Sequence, residues 1–413
     1  MRRWIAALSF LCLMFVASCG DDQRQVTDQS VATATPAAAV ASPTRLPPPP
    51  PPPELTFSAF WFADAQTGWV GGTRCHYGAS PTRDAFGSAP PPEPEDCEGR
   101  IYRTDDGGQS WRLEHRGSVG QFVFADTRIG LGVNSNSYCP HSPCPSEVLR
   151  TTDGGRTWTQ TYNSSERLSS LSIIGNEAWL LANSCGYDDR GPCTWHLLKS
   201  TDLGQTWNQL PLPLKALGLS ISRPTAMDGW IATMSGGGPA EGELWVTHDG
   251  GETWRSLPHP MDRGLYGQAI FFRTPEEGWL LTGGLPGAGN QLKSLYRTND
   301  GGTTWTMVAK SQLGTRQAGI GDLETAGYVG PVLFTSAQEG WILLSRRGLA
   351  HSSDGGKTWS MSMAGGTFAA FHFLDAQHGW LAIQGSLSQP GLLWTTKDGG
   401  ATWQQVPLPT PDA

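Results

Sequence analysis

Charge is scarce in this sequence, and basic residues are not in excess. Only 16% of the 413 residues are charged, and 29 basic against 37 acidic residues give a formal net charge of -8. Because nucleic-acid binding relies on a basic surface, this class of partner is not expected. No helical periodicity stands out, whereas 52 glycines and 18 tryptophans are typical of large β architectures.

The first apolar run of the chain is too short to span a membrane permanently. It covers residues 4–16, follows Met1-Arg2-Arg3 and ends in the small residues before Cys19. This order predicts a lipoprotein signal peptide over residues 1–18, with Cys19 as the lipidated residue. The alternative is an ordinary cleavable signal with a chance cysteine at its end. We therefore expect a lipid anchor on the extracytoplasmic side of a bacterial cell membrane.

Residues 19–54 contain too few apolar side chains to form a core. Their Asp, Gln, Ala, Thr and Pro content predicts a disordered tether. Seven consecutive prolines at 47–53 favour polyproline II, which is stiff and extended. The folded domain is therefore predicted to occupy residues 55–413 and to be held off the membrane by this tether.

One motif, Ser/Thr-x-Asp-x-Gly-x-Ser/Thr-Trp, occurs seven times in residues 55–413. Its aspartates are Asp106, Asp153, Asp202, Asp249, Asp300, Asp354 and Asp398. Its final tryptophans, 44 to 54 residues apart, are Trp111, Trp158, Trp207, Trp254, Trp305, Trp359 and Trp403. This period fits four short strands with their loops, which is one propeller blade.

A second pattern precedes each motif: alternating apolar residues and then Gly-Trp or a close variant, as from Phe60 to Trp69. Each repeat is therefore predicted to contain four strands, A to D, with the Asp motif in the turn between C and D. The fold class predicted is all-β, a seven-bladed β-propeller with an Asp-box turn in each blade.

The chemistry of the Asp motif favours a structural role. An aspartate in a tight turn accepts backbone hydrogen bonds, hydroxyls brace it, and glycine adopts positive φ without strain. Metal binding or acid–base catalysis is the alternative. Because catalysis needs one site and the motif occurs in every blade, we interpret the seven aspartates as turn residues.

These repeats resemble the BNR/Asp-box propellers, and most closely the photosystem II stability and assembly factor family. The resemblance covers Phe57 to Val406 and implies an extracytoplasmic propeller that works by binding a partner. Sialidases share the Asp box, but their Arg-Ile-Pro motif is absent here, since neither Arg100-Ile101 nor Arg128-Ile129 is followed by Pro. Glycanases with paired propellers place catalytic carboxylates in a cleft that one propeller lacks.

In an up-and-down blade the A–B and C–D turns share one face, and the B–C and D–A loops form the other, where function is expected. Six cysteines are predicted to lie in B–C loops of the first three blades, as the pairs Cys75–Cys97, Cys139–Cys144 and Cys185–Cys193. Zinc is the rival interpretation, but the spacing does not give two matched ligand pairs. The candidate binding aromatics in these loops are Tyr77, Phe86, Tyr138, Tyr187 and Trp195. Packing over exposed blade edges is the alternative for each.

A basic residue precedes the motif in four blades, at Arg103, Arg150, Lys199 and Arg297. These residues form either a basic patch or solvated strand ends. The functional hypothesis is a monomeric, non-enzymatic binding or scaffold module without cofactor or metal, whose partner is a protein or a surface glycan. The alternative is a sialidase-like or polysaccharide-active glycoside hydrolase. A hydrolase requires convergent carboxylates of raised pKa at the mouth of the central channel.

Overall fold

The computed structural model describes residues 56–77, 94–135, 146–184, 193–216, 218–234, 242–260, 267–312, 320–365, 368–383 and 391–408. In this part of the chain there are 29 strands and no helix. None of it, accordingly, contains a helix long and apolar enough to cross a membrane.

The strands form seven sheets, here called blades one to seven in chain order. Blades one to three are built from β1 (Thr56–Phe62), β2 (Gly68–Tyr77), β3 (Pro94–Thr104), β4 (Arg112–Arg116), β5 (Gln121–Phe124), β6 (Gly130–Ser135), β7 (Ser146–Thr151), β8 (Thr159–Ser164), β9 (Arg167–Ile174), β10 (Glu177–Ser184), β11 (Cys193–Ser200) and β12 (Asn208–Ala216). Blades four and five are built from β13 (Gly218–Ser222), β14 (Gly229–Met234), β15 (Leu244–Thr247), β16 (Arg255–Leu257), β17 (Gly267–Phe272), β18 (Gly278–Gly283), β19 (Lys293–Thr298), β20 (Thr306–Lys310) and β21 (Gly321–Asp322). Blades six and seven are built from β22 (Val332–Phe334), β23 (Gly340–Leu344), β24 (Gly348–Ser352), β25 (Ser360–Ala364), β26 (Phe368–Phe373), β27 (Gly379–Ile383), β28 (Leu392–Thr396) and β29 (Gln404–Val406).

Each blade is an antiparallel sheet of four strands in sequence order, and blade five adds β21, which pairs parallel to β20. The predicted all-β, seven-bladed propeller is confirmed. The second strand of each blade is covered on both sides by its neighbours, so β18 is buried at every residue. The outer strand β4 is at most half-buried. The hydrophobic core therefore lies between blades.

A repeated aromatic contact joins neighbouring blades. The tryptophan of Gly-Trp stacks on the phenylalanine that ends the inner strand of the next blade, as Trp279 stacks on Phe334 with centroids 3.8 Å apart. The tryptophan of the Asp box meets the same ring edge-on, as Trp359 meets Phe334 at 6.1 Å. Offset-stacked and edge-to-face arrangements are the favourable geometries for aromatic pairs. The other stacked pairs are Trp69–Phe124, Trp230–Phe272, Trp341–Phe373 and Trp380–Phe62.

At the junction between blades three and four, other residues take the place of the stacked phenylalanine. Ser222 stands at its position, and the guanidinium of Arg223 lies 4.2 Å from the ring centroid of Trp179. Arg223 is paired with Glu177 at 2.9 Å, so the buried cation is neutralised. Ser222 Oγ accepts a hydrogen bond from Phe272 N at 2.7 Å and so links blade four to blade five.

The closing junction, where blade seven meets blade one, uses no exchanged strand. Each of these two blades takes its four strands from one continuous part of the chain. Phe62 stacks on Trp380 at 3.9 Å, Trp111 Nε1 donates to Pro407 O at 2.9 Å, and His372 Nε2 donates to Phe62 O at 3.2 Å. Among the described residues, these side-chain contacts join the first and last blades.

Candidate functional site

The Asp-box turns are hydrogen-bonded networks, as Asp300 illustrates. Its Oδ1 accepts from Thr298 Oγ1 (2.8 Å) and Thr304 N (2.9 Å), and its Oδ2 accepts from Thr304 Oγ1 (2.6 Å). Thr298 Oγ1 accepts from Gly302 N at 2.9 Å. Equivalent bonds are made by Asp106, Asp153, Asp202, Asp249, Asp354 and Asp398. The carboxylates are thus held by their own turns.

These bonds stabilise the ionised carboxylate. The Thr253 hydroxyl and then the Thr253 N–H lower the pKa of Asp249 from 3.8 to about 2. A carboxylate of this kind is a poor general acid or base at neutral pH. Leu203 replaces the first glycine of one box and keeps a left-handed backbone, with φ of 55°, a conformation that costs a non-glycine residue about 1–2 kcal/mol.

One backbone hydrogen bond joins the Asp-box turn to the A–B turn in every blade. In blade five Gly301 N donates to Glu276 O at 2.9 Å, and the bond recurs six times. The two turns therefore share a face, as predicted. Asp64 Oδ1 caps its A–B turn by accepting from Gln66 N (2.8 Å) and Thr67 N (2.6 Å). Asp126 and Asp375 do the same.

The basic residues before the boxes form contacts between blades, a role that neither predicted alternative included. Arg103 lies 5.1 Å from the ring centroid of Trp69 in its own blade and donates through Nη1 to Thr127 O of blade two at 3.0 Å. Arg150 likewise donates to Leu203 O of blade three, Lys199 donates to Glu252 of blade four, and Arg297 lies beside Gly355 of blade six. We call a residue at this position a clamp residue.

A cavity of about 640 Å³ lies between the inner strands of blades three to six. Its polar lining comes from serines such as Ser220 and Ser222, from Gln268 and from Arg223, and no carboxylate is among its lining residues. Ser220 and Ser222 already accept backbone hydrogen bonds from blade five. In the part of the chain described, this channel therefore lacks the paired carboxylates that glycoside hydrolysis needs.

The shifted carboxyl pKa values among the described residues are all lowered. Glu324, for example, accepts from Arg347 Nε at 2.6 Å, and this bond lowers the pKa of Glu324. None of these groups is kept protonated at neutral pH, as a general acid must be. The same residues contain no group of three or more His, Cys, Asp or Glu side chains placed to hold a metal ion.

The cysteines lie closer to the sheets than the sequence suggests. Cys75 and Cys97 belong to β2 and β3, where they are directly opposite each other, and such residues have Cα atoms about 4.5–5.5 Å apart, within the range for a disulfide. Cys193 begins β11, is buried, and is disulfide-bonded. Cys139, Cys144 and Cys185 lie outside the described residues. The placement of all six in loops was therefore wrong for three, and the pairing itself stays a prediction.

Of the candidate binding aromatics, Trp195 is the one whose side chain lies in the described part of the chain. Trp195 was wrongly assigned to a loop: it lies in β11, is 6% exposed, and donates from Nε1 to Ala216 O at 2.9 Å. The alternation of β11 turns its side chain into the core between blades three and four. Tyr77 ends β2. Phe86, Tyr138 and Tyr187 lie outside the described residues.

Sequence reasoning missed Lys293, a buried cation held by backbone carbonyls. Its Nζ donates to Gln291 O (2.9 Å), Glu324 O (2.9 Å) and Thr325 O (3.0 Å). Burial lowers the pKa of Lys293 from 10.5 to about 8, against the attraction of Glu324. These bonds fix the segment between β20 and β22 to blade five. A single lysine at the start of a strand carries no sequence signal for this role.

Blade architecture and box geometry together define the class of protein, a BNR-type β-propeller. Residues 316–411 match the family described as "Photosynthesis system II assembly factor YCF48". No curated protein matches the chain. The chain is a BNR-type propeller that resembles this photosystem II assembly factor.

Solved structures agree on the fold. "YCF48 bound to D1 peptide" is 17% identical, with a TM-score of 0.50 over 84% of this chain and 94% of that one. "YCF48 from Cyanidioschyzon merolae" is 16% identical, with a TM-score of 0.53 over 86% and 98%. The β-propeller domain of the Trilobed protease from Pyrococcus furiosus is 10% identical, with a TM-score of 0.53 over 86% and 98%. At these identities the likeness shows the fold alone.

Proposed function

We propose that the chain is an extracytoplasmic, lipid-anchored propeller that binds a protein partner and acts as an assembly or stability factor for a membrane or surface complex. The match of residues 316–411 to an assembly factor family supports this role. A protein partner is further suggested by the relative whose structure is "YCF48 bound to D1 peptide".

The observation that carries the proposal is that the repeated polar residues form structural contacts within and between the blades. In all seven blades the box aspartate accepts hydrogen bonds from its own turn, and the clamp residues Arg103, Arg150, Lys199 and Arg297 reach the next blade. The conspicuous chemical groups of the sequence therefore build a rigid ring. A rigid scaffold of this kind suits recognition, because little order has to be gained on binding.

The anchor is part of the same proposal. A signal peptide over residues 1–18, lipidation of Cys19 and a tether over residues 19–54 would place the propeller, residues 55–413, at the outer face of a bacterial cell membrane. The B–C loops of blades one to three, with their predicted cysteine pairs, are the proposed binding face. A surface glycan is the alternative to a protein partner, and the propeller is proposed to act as a monomer.

The test is an affinity purification from native membranes with the full chain, after reversible crosslinking. The expected result is a component of one membrane or surface complex, recovered with the wild type and with an Asp300→Asn variant. A parallel assay of reducing ends released from sialosides and polysaccharides addresses the hydrolase alternative. Saturable release of sugar without recovery of a protein would overturn the proposal.

The Cys19→Ala variant tests the proposed lipid anchor separately. We expect this variant to lose incorporation of a fatty-acid analogue and to leave the membrane fraction. Its purified propeller should still bind the recovered partner in solution. Fatty-acid label retained by the variant would show that Cys19 is not the acceptor.

A further inference from the structure

Two junctions of the ring contain an arginine in a similar recess. Arg103 is directly opposite Trp69 in the sheet, and its guanidinium lies 5.1 Å from the ring centroid of that tryptophan. A Cβ placed on Gly154 of the next box would lie 2.5 Å from Arg103 Nη1 and 3.0 Å from Thr127 O. The recess is thus bounded by an indole ring, a box glycine and a carbonyl of the A–B turn.

Blades five and six repeat this arrangement. Arg297 is opposite Trp279, and its guanidinium lies 5.2 Å from the ring centroid. A Cβ on Gly355 would lie 2.9 Å from Arg297 Nη1 and 2.9 Å from Ala337 O. The same three walls therefore receive a guanidinium group in two separate places, and in each place it also pairs with a carboxylate, Asp105 for Arg103 and Glu277 for Arg297.

The closing junction has the same walls but no such cation at the clamp position. Thr395 is opposite Trp380, at the position that Arg103 occupies in blade one and Arg297 in blade five. A Cβ on Gly107 would lie 2.9 Å from Ala65 O, so the glycine and carbonyl are placed as in blade six. A cavity of about 350 Å³ lies here, lined in part by Trp380, Thr395, Ala65 and Gly107. We call it the seam cavity.

The indole N–H of Trp380 also distinguishes the closing junction from the two arginine junctions, and it serves as a probe of the cavity and not as a partner of a guanidinium group, which only donates hydrogen bonds. Trp380 is 2% exposed, and its Nε1 has no hydrogen-bond partner among the described residues. The equivalent atoms of Trp69 and Trp279 donate to the carbonyls of Gly154 (2.8 Å) and Gly355 (3.3 Å). A buried donor without an acceptor is costly and uncommon. The closing junction thus lacks both the clamp arginine and this hydrogen bond.

We propose that the seam cavity binds an arginine side chain supplied by a partner polypeptide. The guanidinium group lies over the face of Trp380 and donates to Ala65 O, as Arg103 does at Trp69 and Thr127 O. A planar guanidinium suits a site that combines an aromatic face with carbonyl acceptors. The inference rests on the proposed function in one respect, namely that a protein partner supplies the arginine.

Charges around the seam cavity set a further requirement. Asp106, Lys397 and His378 also line it. Burial acts to raise the pKa of Asp106, but the hydrogen bonds within its box together outweigh burial and leave the pKa at about 2, so this carboxylate is ionised and attracts the guanidinium. Lys397 stands where blade one has Asp105, the carboxylate that pairs with Arg103, and its ammonium group repels the guanidinium. Removing the Lys397 charge should therefore tighten binding.

The experiment uses the full chain and a defined probe, N-acetyl-arginine amide, with the citrulline amide as its neutral isostere. Binding is followed through the indole N–H resonance of Trp380 in protein with ¹⁵N-labelled tryptophan, assigned by its loss in Trp380→Phe. We expect a saturable shift with the arginine probe, about tenfold weaker binding of the citrulline probe, and tighter arginine binding in Lys397→Met. Equal binding of both probes would contradict the proposal.

Two matched variants test the recess itself. Thr395→Arg supplies the missing cation within the chain and should raise the melting temperature and abolish the probe-induced shift. Arg103→Thr empties the equivalent recess and should give the Trp69 indole a new response to the probe. The proposal would be overturned if Thr395→Arg still bound the arginine probe. It would also be overturned if the Trp380 resonance responded to the probe only in Lys397→Met, because the wild-type seam cavity would then not bind a partner's arginine. Recovery of the membrane partner by Thr395→Arg would leave the proposed function standing.

Discussion

Removing the aromatic ring that closes the propeller should open it locally. Phe62→Ala deletes the contact between blades seven and one, and Phe272→Ala is its matched control within the ring. Both phenylalanines are buried and stack on a tryptophan at 3.9 Å and 11°. The two variants remove the same stacked contact from junctions that differ in chain connectivity and in their hydrogen bonds.

The expected magnitude follows from the burial of the ring. Truncation of a buried phenylalanine costs about 3–5 kcal/mol of unfolding free energy, and we expect both variants in this range. The two junctions differ in that Trp230 Nε1 donates to Gly301 O at 2.9 Å, whereas Trp380 Nε1 has no partner in the described structure. One net hydrogen bond contributes about 1 kcal/mol. The closing junction also has the Trp111–Pro407 and His372–Phe62 hydrogen bonds, so these differences offset one another and the two variants should differ mainly through chain connectivity.

Hydrogen exchange read by mass spectrometry distinguishes the two variants. Blades four and five stay joined by the chain in Phe272→Ala, so protection should fall evenly. In Phe62→Ala no strand joins blades one and seven, so exchange should accelerate first in β1, β26 and β27. Urea unfolding of both proteins provides the stability difference. Equal exchange patterns would refute the idea that the ring has one weak junction.

Other perturbations test individual groups. Asp300→Ala should lower stability by about 1–3 kcal/mol, since Thr304 N and two hydroxyls lose their acceptor; native thermal stability together with lost partner binding would make the residue functional. Burial lowers the pKa of His372 to about 4, so the unfolded chain alone takes up this proton below about pH 6.5, and stability should fall by up to about 3 kcal/mol between pH 6.5 and 4. Urea unfolding at each pH measures this decline in stability. The same decline in a His372→Gln protein would show that another group causes it. The folded pKa of Lys293, about 8, lies below its ordinary value of 10.5, so stability should rise from pH 8 to 10.5, and Lys293→Met should flatten that rise. Reduction or Cys→Ser replacement of the six cysteines should keep the β-sheet circular dichroism and a cooperative melt while weakening partner binding; non-reducing mass mapping that finds bridges between blades would contradict the predicted pairs.

The fold could be predicted from the repeats because the residues of each motif bond to residues close to them in the sequence. Each Asp box contains its own donors and acceptors within a few positions, so a motif such as Thr298 to Trp305 specifies a turn wherever it occurs. The tryptophan–phenylalanine contact uses two further repeated positions, which the alternation of the inner strand reveals. Four strands for each repeat follow from these turns.

Contacts that depend on a partner in another blade were not predictable from the pattern. Arg103 and Arg297 look like exposed strand ends in the sequence, and only the position of the next blade shows that they are clamp residues. Trp195 was assigned to a loop because the spacing does not show where β11 begins. Lys293 meets carbonyls about thirty residues away along the chain, a relation that no short motif encodes.

A ring that closes without exchanging a strand has no privileged starting blade. Because blades one and seven are each complete, the break in the chain falls between two whole repeats. A linker of about the length of residues 117–120, which connect β4 to β5, would join the outer strand of blade seven to the inner strand of blade one. New ends could then be opened between any other two blades. Such circular permutants should close into the same propeller, with the break between ends moved to a junction of choice.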